Sequence, residues 1–141
     1  MFETACGRVH ALLALCPQRQ DLVHSDLLHQ NVLVDPTWST VTGVFSWKCL
    51  MRGDFLYDVA WCTFWSAWRP GLAAANLWER TCAAADLDEE AMRNAAERHH
   101  CYELQIAASH VGWNVWTGDF EELSRLAAET ERVLERGPCS L

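Results

Sequence analysis

Positive charge is scarce in this sequence: 11 lysines and arginines stand against 19 aspartates and glutamates, a formal net charge of -8. A chain so short of cations has no basic patch to neutralise phosphates, which argues against nucleic acid as its main partner. A cationic small molecule suits that field better, although an acidic balance alone commonly serves solubility. Nor is there any Cys-x-x-Cys pair among the seven cysteines, so neither a zinc ribbon nor a thioredoxin-type motif is readable. Their odd number and the lack of a disulfide framework fit a reducing cytosol, with most of them small apolar core residues. Long apolar runs are missing too. ALLALC and VAWCTFWSAW are too short to span a bilayer, and the acidic start MFETAC is unlike a signal peptide. These absences lead us to expect a cytoplasmic protein with neither a membrane nor a nucleic-acid partner.

What is present suffices for one domain over residues 1–141, half of them apolar. No repeat, linker or low-complexity tract interrupts it. Val9, Leu12, Leu13 and Leu15 predict a first helix over residues 2–16, ending before Pro17. Leu22 to Val23, Val32 to Val34 and Val41 to Trp47 read as short strands, the last two joined by a turn at Asp35, Pro36, Thr37 and Ser39. On the third strand Val41, Gly43, Phe45 and Trp47 should share a face. Beyond Gly53, Asp54 is a plausible N-cap for a helix to about Trp65, and an alanine-rich helix should run from Pro70 and Gly71 to about Ala85. Asp86 with Glu89 reads as a capping pair opening a long helix with the stripe Met92, Ala95, Ala96, His99, Tyr102 and Ile106, which Gly112 and Gly118 loosen or end. Asp119 with Glu122 repeats the device before a last helix striped by Phe120, Leu123, Leu126, Thr130, Val133 and Leu134 and ending near Gly137. By content the fold class is α+β, mainly α.

Between the first two strands lies LVHSDLLHQNVLV, residues 22–34, with His24, Asp26 and Asn31 in the pattern H-x-D-x-x-x-x-N. In such a loop an aspartate can accept the proton of an attacking hydroxyl while an asparagine carbonyl faces a magnesium ion. Taken alone, three common residues at fixed spacing are weak evidence, and Asp26 as a turn former with Asn31 as a cap is the blander alternative. The blocks that follow, FSWK and GDFLYDVAW, add context. In this order the three blocks resemble the aminoglycoside phosphotransferase family, including the hygromycin phosphotransferases, whose blocks run HGD-x-x-x-x-N-V-L, I-D-W-G and G-D-P-x-x-D-L-A.

The resemblance covers residues 22 to about 68 well and the helical remainder loosely. It implies a protein-kinase-like C-terminal lobe, with a small β-hairpin carrying the catalytic loop and a helical bundle after it. The implied reaction is ATP-dependent phosphorylation of a hydroxyl on a small, cationic, aminoglycoside-like compound, with ATP and Mg2+ as cofactors. Carried over by position, Asp26 is the catalytic base, Asn31 a magnesium ligand, His24 a structural member of the loop, and Asp58 the carboxylate that holds the loop through backbone N–H groups. Ser46 stands where the family has a metal-binding aspartate, and a neutral hydroxyl cannot supply that charge. Lys48 stands where a small residue is usual; its ammonium either competes with a cation or points into solvent. Ser25 replaces a glycine.

Kinase-like enzymes also need a nucleotide lobe with a phosphate-binding lysine. Nothing before residue 22 resembles one, and the first lysine is Lys48. The chain therefore reads as a C-terminal lobe alone, a fragment or truncated product with little activity by itself. A non-catalytic binding module that keeps the lobe's shape is the alternative, and an unrelated helical domain with a chance motif is a third. A separate N-terminal lobe or a homo-oligomer would cover the exposed seam. Trp61, Trp65 and Trp68 should pack in the core, while Trp113 and Trp116 are candidates for a pocket wall and His29 for a substrate contact. His99, His100 and Cys101 are adjacent, point in different directions, and make no convincing metal set.

Overall fold

The computed structural model describes residues 1–84 and 87–139. Helix α1, Phe2–Leu12, turns its Ala5 and Leu12 inward, then tightens into a 3-10 turn at Leu13–Leu15 before Pro17. Strand β1, Asp21–Val23, leads into the polar loop, and β2, Val32–Val34, leaves it. β2 pairs antiparallel with β3, Val41–Val44, through the registers Val32 to Val44, Leu33 to Gly43 and Val34 to Val41. Asp35 closes their turn by accepting the N–H groups of Ser39 at 2.8 Å and Thr40 at 2.9 Å.

Two expectations about this region are corrected. β3 stops at Val44, because Ser46 adopts a left-handed backbone (φ 66°, ψ 43°) that no strand can continue through, and Trp47–Cys49 forms a 3-10 turn. A fourth strand, β4 at Met51–Gly53, was not readable from sequence; it pairs antiparallel with β1, with Asp21 opposite Gly53 and Val23 opposite Met51. The polar loop thus bridges two separate two-stranded ladders.

Helix α2, Leu56–Trp65, follows. Asp54 sits ahead of it and accepts the Leu56 N–H at 3.2 Å, but its main partners lie elsewhere. The Arg98 guanidinium donates to both carboxylate oxygens, at 2.8 and 2.7 Å, and the Tyr102 hydroxyl donates to Oδ2 at 2.8 Å. Arg98 is 1% exposed and Asp54 5%, a buried bidentate pair joining the head of α2 to the central helix.

The expected alanine-rich helix is two short ones, α3 at Pro70–Ala73 and α4 at Leu77–Cys82, parted by Asn76 in the left-handed region. Ala85 and Asp86 lie outside the described residues, so the capping pair proposed at Asp86 does too. The long helix α5 spans Ala95–Thr117, later than expected. Met92 precedes it, in a turn where Asp88 accepts the Ala91 N–H at 2.7 Å. Gly112 lies within α5 without breaking it, whereas Gly118, at φ 78°, ends it. Helix α6, Phe120–Arg136, is capped by Asp119, which accepts the Glu122 N–H at 3.1 Å. Phe120, assigned to its apolar stripe, is 68% exposed, because the first turn of α6 projects beyond the core.

α5 is the spine against which α1, α2 and α6 pack. Ala60, Trp61 and Phe64 of α2 meet Leu104, Ile106, Ala107 and Val111 of α5 and Leu126 and Val133 of α6. One polar network crosses this core: Glu103 accepts from Thr63 at 3.0 Å and from Arg136, and Thr63 also contacts His99 Nε2 at 2.8 Å. His99 and His100 are almost wholly buried. Burial drives their pKa values down, to about 3 and about 4, so both rings are neutral in the fold. No helix among the described residues is long and apolar enough to cross a membrane.

Candidate active site

β1 delivers the chain to His24, which is 1% exposed. Its Nε2 lies 2.8 Å from the Phe45 carbonyl, which can only accept, so Nε2 carries the proton and Nδ1 is free to receive the Asp26 N–H at 3.2 Å. The Trp47 ring covers it at 4.7 Å. His24 therefore links the start of the loop to the end of β3.

Asp58, half-buried in the first turn of α2, accepts the N–H groups of His24 and Ser25, each at 2.8 Å. Two backbone donors on one carboxylate fix the loop against the helix. Ser25 bends the chain through a left-handed conformation at φ 54° although it is not glycine, and its hydroxyl donates to the Cys49 carbonyl, tying the loop to the approach of β4. The Cys62 thiol donates to the Leu27 carbonyl at 3.0 Å, so a second residue of α2 is bonded to the loop.

Asn31, 6% exposed, closes the loop. Its Nδ2 donates to the Asp26 carbonyl at 2.7 Å and to Asp26 Oδ2 at 3.1 Å, which orients a half-buried carboxylate. Its own carbonyl accepts the Phe45 N–H at 3.0 Å, so Ser46, next in the chain, is brought beside it. The motif residues 24, 26, 31 and 58 thus form one connected hydrogen-bonded unit, with Ser46 at its edge.

Other sequence-nominated residues lie further out. His29 is exposed in the 3-10 turn His29–Asn31, and Lys48 is exposed in the turn after β3. Trp113 and Trp116, 58% and 76% exposed, pack on each other at 5.1 Å toward the end of α5. Sequence reasoning passed over His110, one helical turn before Trp113 on the same face. Its ring contacts Trp65 at 4.8 Å and Trp61 at 5.4 Å, burial lowers its pKa, and the Asp26 carboxylate opposes that shift. No local pattern announces it, because its neighbours come from α2 and the loop.

The donor set does not make a magnesium site. Asn31 offers one neutral amide oxygen and Ser46 one neutral hydroxyl, where Mg2+ takes carboxylates and water in octahedral geometry. Among the described residues no group of three His, Cys, Asp or Glu could hold a metal ion.

With this geometry in view, comparison with known proteins gives a consistent answer. The model of the phosphotransferase enzyme family APH matches residues 4–95, more than half of the chain. The chain belongs to the aminoglycoside phosphotransferase family. Over 53 residues it is 42% identical to the hygromycin-B 4-O-kinase of Escherichia coli, a match covering 38% of this chain and 15% of that protein. A thermostable variant of aminoglycoside phosphotransferase APH(4)-Ia, solved as a ternary complex with AMP-PNP and hygromycin B, superposes with a TM-score of 0.78 at 26% identity. That superposition covers 95% of this chain and 42% of that one. The apo form gives 0.74 at 26% identity, over 95% and 44%. This aminoglycoside phosphotransferase chain therefore has the kinase-like fold in its mainly α form and spans less than half the length of these solved relatives.

Proposed function

We propose that this chain is the catalytic-loop lobe of a small-molecule O-kinase whose family reaction is ATP-dependent phosphorylation of a hydroxyl on a cationic, aminoglycoside-like compound. The observation that carries this reading is the connected unit of Asp26, Asn31, His24 and Asp58. In it Asp26 serves as the base that accepts the substrate hydroxyl proton, and Asn31 Nδ2 holds one carboxylate oxygen so that the other faces the acceptor. His24 and Asp58 are positioning residues that set the loop's backbone. The acidic balance of the chain suits a polycationic acceptor, and the path from Asp26 past His110 to Trp113 and Trp116 supplies a wall on which a sugar ring can lie. His29 is the loop's own candidate for touching the substrate.

ATP and magnesium belong to the family reaction, and this chain alone holds neither well enough to turn over. One point supports that reading: Ser46 brings no charge to a metal. We test it with the purified chain, ATP, magnesium and a panel of aminoglycosides. No phosphorylated product is expected, and product formation that disappears in Asp26→Ala would overturn the inactivity.

A second reading, a non-catalytic interaction module, is favoured by one observation. The strand region exposes Leu22, Leu33, Trp38, Val41, Leu50 and Met51, with Trp38 at 83%, a surface suited to being covered by an N-terminal nucleotide lobe or a second copy. Calorimetric titration with aminoglycosides and a sedimentation run separate the readings. A monomer that binds ligand supports the kinase lobe, and a stable oligomer that binds none supports the module.

A further inference from the structure

Away from the loop, two adjoining cavities lie where α6 meets the chain running from the end of α2 through α4. The larger, about 550 Å³, is walled by Trp68 and Pro70 on one side and by Arg125, Glu129 and Arg132 of α6 on the other. The smaller, about 200 Å³, lies between Ser66, Leu77 and Trp78 and the side chains of Arg132 and Arg136. Arg132 lines both, and no residue of the loop 24–31 lines either.

The charge of this groove runs against that of the chain. Arg125, Arg132 and Arg136 are seven and four residues apart, so they fall on one stripe of α6, and all three are exposed in a chain whose formal net charge is -8. Their carboxylate neighbours leave donors over. Glu129 accepts from Nε of Arg132 at 2.8 Å and from its Nη2, and Glu103 accepts from Nη2 of Arg136. Nη1 of each guanidinium bonds to nothing among the described residues. Glu122 stands 3.8 Å from Arg125, too far for a hydrogen bond. Arg132 and Arg136 are thus oriented by their own carboxylates and keep a free edge, the geometry in which a guanidinium receives phosphate oxygens.

We propose that this groove binds a small phosphate monoester with a flat apolar body. The phosphate sits in the smaller cavity between Arg132 and Arg136, and the ring lies in the larger one against Trp68 and Pro70. The two arginines are about 6 Å apart along the helix axis, within the reach of a single phosphate bridging both. The indole of Trp68 supplies a flat apolar wall for the ring. Arg125, about 10 Å along the axis from Arg132, adds positive potential at the mouth of the larger cavity. Such a ligand is opposite in charge to the cationic acceptor proposed for the loop, so the two readings stand or fall separately.

The test titrates the 15N-labelled full chain with phenyl phosphate, using inorganic phosphate for the anion alone and benzyl alcohol for the ring alone, and follows the backbone and indole N–H signals. We expect one saturable site for phenyl phosphate with its largest indole shifts at Trp68 and Trp78, and binding at least about tenfold weaker for either half on its own. Arg132→Gln should weaken phenyl phosphate by about tenfold or more, the loss of a charge-assisted hydrogen bond, while Arg93→Gln, an exposed arginine outside the groove, leaves it unchanged. Because Arg132→Gln also strips Glu129 of its partner, the salt dependence of the unmodified chain gives an independent reading: phenyl phosphate must bind more weakly as potassium chloride rises. Shifts centred on residues 24–31, inorganic phosphate binding as well as phenyl phosphate, affinity indifferent to salt, or no saturable binding at all would overturn the proposal.

Discussion

At the scale of single residues, the loop depends on conformations its side chains do not favour. Ser25 and Ser46 both sit in the left-handed region, at φ 54° and 66°, where a β-carbon costs roughly 1–2 kcal/mol. Asp58 offsets the first of these by taking two backbone hydrogens. Asp58→Ala should therefore lower stability by about 2–4 kcal/mol, given two charge-assisted bonds, read as a reduced urea midpoint; an unchanged midpoint would mean that the loop is held by something else. The order His24, Asp26, Asn31 was legible in sequence because FSWK and GDFLYDVAW follow it in turn, which the spacing alone could not have settled. That Ser25 keeps a glycine's geometry was not legible. Its hydroxyl bond to Cys49, 24 positions away, exists only once β4 has formed.

At the scale of elements, what the sequence hid is what tertiary pairing supplied. β4 is Met51, Arg52 and Gly53, with no β-branched residue to announce a strand, and it is extended because β1 lies alongside it. The late start of α5 has a tertiary cause as well: Asn94 bends the chain through the left-handed region, and Arg98, paired with Asp54 44 positions away, donates to the carbonyls of Ala91 and Arg93 in the turn ahead of the helix. Removing one member of such a buried pair leaves a desolvated charge. Arg98→Leu should cost about 3–5 kcal/mol and Tyr102→Phe about 1 kcal/mol, both measured by chemical denaturation; near-equal losses would contradict the ranking. The α2–α5–α6 network adds a pH dependence. His99 and His100 have folded pKa values depressed to about 3 and about 4, so the unfolded chain binds more protons below the ordinary histidine value. Their contribution is complete above that value, near 6.5, and is lost as pH falls from there toward about 4. Glu103, raised by burial, works in the opposite direction. We expect the denaturation midpoint to fall between pH 6.5 and 5, by an amount on the order of 1–2 kcal/mol for each histidine. His100→Asn should flatten that slope.

At the scale of the whole molecule, one side is a well-packed helical bundle and the other is a strand region with apolar side chains in water. Such a surface promotes association. Where the interaction-module reading holds, Leu33→Lys together with Val41→Lys, on neighbouring strands, should shift the chain toward monomer in sedimentation without altering its helical circular dichroism. An oligomer that withstands both charges would place its contact elsewhere. The same division has an optical consequence. Trp61, Trp65 and Trp68 lie in or against the core with His110 among them, whereas Trp38, Trp47, Trp113 and Trp116 are exposed. Excited near 295 nm, a wavelength general to indole absorption, the chain should emit as two populations. Iodide in solution would quench the exposed four, leaving the bluer, sheltered group to report on the core beside Asp26 without any attached dye.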